Sequence, residues 1–165
     1  MKWNVQALFT GEQDRMPIRD TLDLSEWEFQ GNCPLRRPVE VEGEAVSAGG
    51  VVMLKAEVRY RFEAPCDRCL APIVRDGCFR AEHILVTSAE DSDNDAFIVL
   101  ENFQLNLDEL VEDDLWLELP SKSLCREDCR GLCPHCGQDL NRGTCGCSSK
   151  AADPRLEVLK QWMNQ

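Results

Sequence analysis

Six cysteines near the end of the chain constrain its fold more than any other feature. Residues 125–147 read CREDCRGLCPHCGQDLNRGTCGC, a spacing of C-x3-C-x3-C-x2-C-x8-C-x-C. A segment this short, with so few apolar residues, cannot bury six thiols in a core of its own, so metal binding must supply its folding energy. Zinc is the expected metal because it binds four thiolates in a tetrahedron. We therefore predict a structural Zn²⁺ site with the candidate ligands Cys125, Cys129, Cys133, Cys136, Cys145 and Cys147.

The choice among these six ligands stays open, because one zinc ion takes only four thiolates. Cys133 and Cys136 form the strongest pair, since C-x2-C followed by glycine is the spacing of a zinc knuckle, and the last two cysteines can complete the site. Cys125 and Cys129 then stand outside it, replace one pair, or join a cluster of two zinc ions. A catalytic zinc would keep an open coordination position beside a base, so crowded thiolates indicate a structural role.

A second C-x2-C pair, Cys66 and Cys69, encloses Asp and Arg. That composition favours a turn at the tip of a hairpin, which is the interpretation that we prefer. The alternative is that the pair joins the tail cysteines in a zinc site. A thiol redox site is disfavoured, because the thiolate would need the support of a helix N-terminus. Cys33 and Cys78 are isolated and are interpreted as small apolar residues.

The composition predicts a soluble cytoplasmic protein. The chain has 165 residues, of which 43% are hydrophobic, enough to build the core of one ordinary domain. Its first residues lack a basic head followed by an apolar run, and no apolar run approaches the ~20 residues of a membrane-spanning helix. We expect no membrane association. A disulfide framework is disfavoured because the cytosol is reducing.

Alternating hydrophobicity predicts an antiparallel sheet. Residues 51–63 alternate between apolar and charged side chains, which indicates a long, half-buried strand. A second alternating run ends at Gly49–Gly50, so the two runs form a β-hairpin. Further strands are predicted over residues 72–86 and 97–100, and one strand and one short helix are predicted in the N-terminal third.

An amphipathic helix is predicted over residues 107–118. Asn106 is its expected N-cap, Glu109 would complete a capping box, and Pro120 follows its end. Asp153–Pro154 has the pattern that opens a final short helix.

The predicted fold class is α+β. It combines an antiparallel β-sheet, a meander or partial barrel, with a covering amphipathic helix and a C-terminal zinc-binding tail that ends in a short helix. We place the β-rich domain at residues 1–120 and the cysteine-rich tail at residues 121–165.

The charge of the chain points to a basic partner. The net charge is −12, and residues 88–118 contain 11 acidic residues and no Lys or Arg. Such a segment is either a solvated face or a docking surface for a basic protein. It repels nucleic acid, although Arg126, Arg130 and Arg142 near the cysteines can contact phosphate.

The sequence offers no catalytic constellation. No P-loop, G-x-S-x-G elbow or G-x-G-x-x-G motif occurs. His83 lies in a strand pattern and is interpreted as structural. Asp113 and Asp114 are adjacent on a helix and cannot face each other across a substrate. We predict that the protein is not an enzyme and has no small-molecule substrate.

The order and spacing of five segments resemble the bacterial YceD family of large ribosomal RNA subunit accumulation proteins. The segments are PCDRCL, LDELVEDDLWLELP, LCREDCRGLCPHCGQDLN, CGC and DPRLEVLK, and the resemblance extends from about Val39 to Trp162. The family's C-x-R-C pair falls on Cys66, Arg68 and Cys69. The cysteine-rich tail is not present in every branch of the family, so the family's core function need not depend on zinc.

This resemblance implies a non-enzymatic factor that supports 23S rRNA accumulation or processing. It implies large-subunit components as partners, 23S rRNA among them. The acidic charge of the chain adds the hypothesis that the main partner is a basic ribosomal protein. The alternative is a zinc-stabilised interaction adaptor unrelated to ribosomes, which would bind a basic partner through its acidic face.

Overall fold

The central element of the fold is an open five-stranded sheet, whose strands lie side by side in the order 15–22, 39–48, 51–65, 72–86 and 97–99. The structure, a computed structural model, describes residues 2–87 and 97–147. The elements in chain order are β1 (Lys2–Asn4), α1 (Gln6–Thr10), β2 (Arg15–Leu22), β3 (Val39–Ala48), β4 (Val51–Pro65), β5 (Pro72–Val86), β6 (Phe97–Val99), β7 (Gln104–Asn106) and α2 (Leu107–Glu118). The short strands β1 and β7 form a separate antiparallel pair. The predicted α+β class is confirmed.

Two hairpins build most of the large sheet. Gly49 and Gly50 connect β3 to β4 with φ angles of 62° and 85°, the conformation that a tight two-residue hairpin requires and that glycine adopts without strain. Strands β4 and β5 pair from Val52 opposite Leu85 to Pro65 opposite Pro72. At about 3.4 Å per residue this hairpin is close to 50 Å long. Its far tip carries Cys66 and Cys69.

Helix α2 covers the inner face of the sheet. Its bounds are those predicted from the sequence, and its apolar residues Leu107, Leu110, Val111 and Leu115 are buried in the core. Asn106 occupies the N-cap position, but its side chain makes no capping hydrogen bond, so the expected capping box does not form. A polar contact also links this helix to the sheet: the His83 Nε2 lies 2.9 Å from the Asp114 Oδ2. This contact ties β5 to α2.

Three features differ from the sequence-based expectation or lie beyond its test. Strand β6 joins β5 in parallel rather than antiparallel orientation. The N-terminal third contains two strands, β1 and β2, besides the short helix α1. The final helix predicted to open at Asp153–Pro154 lies outside the described residues. In the described ranges no helix is long and apolar enough to cross a membrane.

Candidate metal centre

Eight of the ten cysteines gather in two groups of four. Within each group the four sulfur atoms all lie within 4.8 Å of one another. All ten cysteines are free thiols. The first cluster contains Cys66, Cys69, Cys125 and Cys129, and the second cluster contains Cys133, Cys136, Cys145 and Cys147.

The sulfur spacing of the first cluster fits a four-coordinate metal ion. The Sγ atoms of Cys66 and Cys129 are 3.8 Å apart, and those of Cys69 and Cys125 are 3.6 Å apart. Four sulfurs at ~2.3 Å from a tetrahedral metal are separated from each other by about 3.8 Å. A disulfide would need about 2.05 Å. The arrangement therefore has the dimensions of a tetrathiolate metal site.

The hairpin tip presents the first C-x2-C pair through a tight loop. The backbone N–H of Cys66 donates to the carbonyl of Ala71 over 2.8 Å, and the N–H of Leu70 donates to the carbonyl of Cys66 over 2.9 Å. Leu70 takes a positive φ of 59° to close the loop. Both thiols of the pair consequently project on the same side of the tip.

The second C-x2-C pair repeats this loop with the same hydrogen bonds. The N–H of Cys133 donates to the carbonyl of Gln138, and the N–H of Gly137 donates to the carbonyl of Cys133, each over 2.9 Å. Gly137 has a φ of 74°. Leu70 and Gly137 are thus equivalent positions, and the two loops are the same structure with different residues at the strained position.

The tail segment docks directly on the hairpin tip. Asp67 and Ser123 exchange two hydrogen bonds, from the Asp67 N–H to the Ser123 carbonyl over 2.8 Å and from the Ser123 N–H to the Asp67 Oδ2 over 2.7 Å. The Arg68 carbonyl accepts from the N–H of Leu132 over 3.0 Å, while its Nη1 donates to the carbonyl of Cys129 over 2.7 Å. These contacts hold the second half of the first cluster against its first half.

Asn141 links the two clusters. Its Nδ2 donates to the Sγ of Cys129 over 3.5 Å, although Asn141 itself lies in the loop of the second cluster. Its Oδ1 accepts from the backbone N–H of Arg130 and from the Nη2 of Arg126, each over 2.8 Å. One amide side chain therefore fixes the spatial relation of the two clusters.

Backbone amides favour ionisation of Cys66 in the first cluster and of Cys133 in the second. Burial opposes ionisation of Cys66, but N–H groups of Cys125, Cys69 and Arg68 outweigh it and lower the pKa of this thiol to about 6. N–H groups of Cys136 and His135 lower the pKa of Cys133 to about 6 in the same way. These donors are the ones that stabilise a metal-bound thiolate.

Other thiols of each cluster are held in the neutral form. Burial and the neighbouring sulfurs of Cys129 and Cys69 raise the pKa of Cys125 to about 12. The sulfur of Cys136, together with burial, raises the pKa of Cys147 to about 12. Four adjacent thiolates repel one another, so complete ionisation requires a cation between them. Each cluster could therefore hold a metal ion.

The six cysteines singled out from the sequence all belong to these clusters, but the structure divides them. Four of them form the second cluster, while Cys125 and Cys129 join the pair Cys66 and Cys69. That pair does form the tight turn that we preferred, and the turn also aims both thiols at the tail. Its spacing was the only sign in the sequence, because the residue after it is Leu70 rather than glycine.

The remaining candidates from the sequence belong to neither group of four. Cys33 and Cys78 are exposed. Arg126 pairs with Asp128 at 3.3 Å and Arg142 pairs with Asp139 at 3.5 Å.

The family model described as "Large ribosomal RNA subunit accumulation protein YceD" matches residues 54–162 of this chain. The chain belongs to the YceD family. The matched region contains both cysteine clusters, and the YceD description names the accumulation of a ribosomal RNA rather than a chemical reaction.

Similar curated proteins come from mycobacteria. Uncharacterized proteins of Mycobacterium bovis and of two Mycobacterium tuberculosis strains are 29% identical over 131 residues, which cover 76% of this chain and 61% of each relative. This YceD chain thus spans less than two thirds of the length of those relatives. No solved structure matches it.

Proposed function

We propose that the protein is a non-enzymatic cytoplasmic factor that supports accumulation or processing of 23S rRNA, with a fold completed by two structural zinc ions. The observation that carries the proposal is the match to the YceD family over a region that includes both cysteine clusters. The family description supports the ribosomal role, and the clusters support the metal.

The proposed ligands are the four thiols of each cluster. A donor set of four cysteine sulfurs in tetrahedral arrangement suits Zn²⁺ or an iron–sulfur centre, and not Mg²⁺ or Ca²⁺, which prefer oxygen. Four protein ligands leave no coordination position for a substrate or an activated water. Such a centre stabilises a fold. In the first cluster it would join the hairpin tip to the tail, and in the second it would organise residues 133–147.

The charge of the described chain favours a basic protein as the direct partner. Residues 101–118 contain seven acidic residues and no Lys or Arg. Contact with rRNA phosphates would place like charges together, whereas many ribosomal proteins carry the opposite charge. We infer that the protein acts on the large subunit mainly through a basic ribosomal protein, and that any rRNA contact is secondary.

Deletion of the gene tests this function directly. The expected result is a lowered ratio of 23S to 16S rRNA, restored by the wild-type gene, together with co-sedimentation of the protein with large-subunit precursors. Unchanged rRNA in the deletion strain, with the protein found only at the top of the gradient, would contradict the proposal. That outcome would instead favour an interaction adaptor unrelated to ribosomes.

A further inference from the structure

An ordered aromatic surface lies exposed on helix α2. Trp116 and Leu117 are 50% and 88% exposed, respectively. The Trp116 ring packs on Trp27 and Phe29, with centroid distances of 5.6 Å and 4.8 Å, and these two rings stack on each other at 5.7 Å. We name Trp27, Trp116 and Leu117 the aromatic patch; Phe29 is only 4% exposed and supports the Trp116 ring from the core. Because its rings are already held in place, a ligand would bind it with a small loss of conformational entropy.

The chain segments that carry the aromatic patch are rich in acidic residues. Residues 20–35 contain four acidic residues and residues 101–120 contain seven, with no Lys or Arg in either segment. Glu26 and Glu28 flank Trp27 in the sequence, and Asp113 lies three residues before Trp116; all three are exposed. One turn before Trp116, Glu112 lines a groove of about 260 Å³ whose other walls include Asp20, Asp23 and Asp108. An apolar centre with a charged rim is the general organisation of a protein-binding surface.

The negative charge of the rim determines which class of partner can bind the aromatic patch. Nucleic acid and anionic membranes carry the charge of the rim and are repelled by it. A cationic protein segment is favoured by both charge and apolar contact. Its Lys and Arg side chains would meet carboxylates, and its apolar side chains would meet Leu117 and the rings. An Arg guanidinium can also stack on the exposed face of Trp116.

We propose that the aromatic patch is the docking site for a basic, amphipathic segment of a partner protein, in which Arg or Lys residues flank apolar anchors. This proposal rests on the proposed function, because it names the surface by which the protein would recognise a basic ribosomal protein. Trp116 is the expected centre of the binding energy, since interface energy concentrates on large, ordered aromatic side chains.

Binding of a designed peptide to the full-length, zinc-loaded protein tests the surface. The probe is a fluorescein-labelled helical peptide with Arg on one face and Leu on the other, and its control carries Ser in place of every Leu. We expect the Arg/Leu peptide to bind about tenfold more tightly than the Arg/Ser peptide, as a few buried apolar anchors would give. The double variant W116S/L117S should lose this difference.

Matched variants separate recognition from general attraction or misfolding. Val74→Ser removes another exposed apolar residue, 51% exposed on β5, and should leave the preference unchanged. Glu112→Lys should weaken both peptides more than Glu12→Lys, which makes the same change of charge on an exposed residue after α1. Metal content and thermal unfolding verify that each variant is folded. Equal peptide preference in W116S/L117S and the wild type would overturn the proposal.

Two further measurements test whether something else already covers the patch and whether the docking surface and the ribosomal role can fail separately. If acrylamide fails to quench the fluorescence that W116F removes, the patch is already covered by residues 148–165 or by a second copy, and the proposal is wrong. In gradients, loss of W116S/L117S from precursors that retain the wild type supports the surface. If W116S/L117S and the wild type both stay on the precursors, the aromatic patch is not the docking site, while the ribosomal role stands. If the wild type itself does not sediment with precursors, the ribosomal role fails while the peptide preference still decides the surface.

Discussion

Leu70 holds a backbone conformation that side-chain-bearing residues rarely adopt. Its φ of 59° is equivalent to the 74° of Gly137 in the second C-x2-C loop, and for an L-residue this left-handed region costs roughly 1–2 kcal/mol. The side chain is 66% exposed, so it recovers little of that cost by burial. The first loop is therefore strained, and the strain is maintained by the contacts that surround it.

Exchange of the two loop residues tests this equivalence. Leu70→Gly should increase the free energy of unfolding by about 0.5–1 kcal/mol, because relief of strain exceeds the entropy cost of glycine. Gly137→Leu should weaken metal binding at the second cluster. Urea unfolding of the zinc-loaded protein measures the first effect, and competition with a chromophoric chelator measures the second. Destabilisation by Leu70→Gly would mean that the leucine side chain makes a contact worth more than the strain.

Single cysteine substitutions distinguish the ligand sets. Cys66→Ser and Cys129→Ser should each reduce the zinc content from two ions to one per chain, because each removes one of four thiolates. Cys33→Ser and Cys78→Ser, which change exposed thiols outside the clusters, should leave two. Elemental analysis of purified protein gives the count. Two zinc ions in Cys66→Ser would return the hairpin pair to the role of a simple turn.

At the scale of elements, the His83–Asp114 contact joins helix α2 to the sheet. His83 and Asp114 lie 2.9 Å apart and are both largely shielded from solvent. Asp114→Ala would remove this partner from a partly buried imidazole, so we expect a loss of about 1 kcal/mol of unfolding free energy. Asp113→Ala changes the exposed neighbour and serves as the control. Equal unfolding midpoints for the two variants in urea would show that the contact contributes no net stability.

The elements that sequence periodicity predicts are those with local patterns. Helix α2 and the hairpin at Gly49–Gly50 have the expected bounds, because burial on one face imposes a period of 3.6 or 2 on each segment. The parallel orientation of β6 has no such local origin. The sequence of a three-residue strand reveals only that the strand is apolar. The strand's direction depends on the path of the connection before it.

The two cysteine clusters also differ in how far the sequence alone predicts them. The second cluster lies within residues 133–147, so its spacing is legible in the sequence. The first cluster joins thiols that are 56 and 63 residues apart, and they meet because the tail docks on the tip of the β4–β5 hairpin. Leu70 concealed the relation further, because the usual glycine of a metal-binding loop is absent after Cys69.

At the scale of the whole molecule, protons and metal compete for both clusters. Near pH 7 Cys66 and Cys133 are ionised, since their pKa values are about 6, whereas Cys125 and Cys147 are protonated, since theirs are about 12. Zinc binding must therefore release protons at pH 7, and zinc affinity must rise with pH. It should fall most steeply below pH 6, where Cys66 and Cys133 also take up protons.

Calorimetry in buffers of different ionisation enthalpy measures this proton release, and a chromophoric indicator measures zinc loss during acidification. Far-UV circular dichroism over the same range reports on the sheet, whose described core contains no buried charged residue and should outlast the metal. A zinc affinity independent of pH would contradict thiolate coordination.

The separation of the first cluster's halves also has a consequence during synthesis. Cys66 and Cys69 leave the ribosome first, and the chain must extend to Cys129 before their partners exist, several seconds later at about 5–20 residues per second. The second cluster needs only the 15 residues from Cys133 to Cys147 and closes a much shorter loop. A chain that stalls or is cut before residue 125 retains two unpaired thiols at the tip of its longest hairpin. Capture of a metal ion by the first cluster would thus report that the sheet, the helix and the beginning of the tail have all been made.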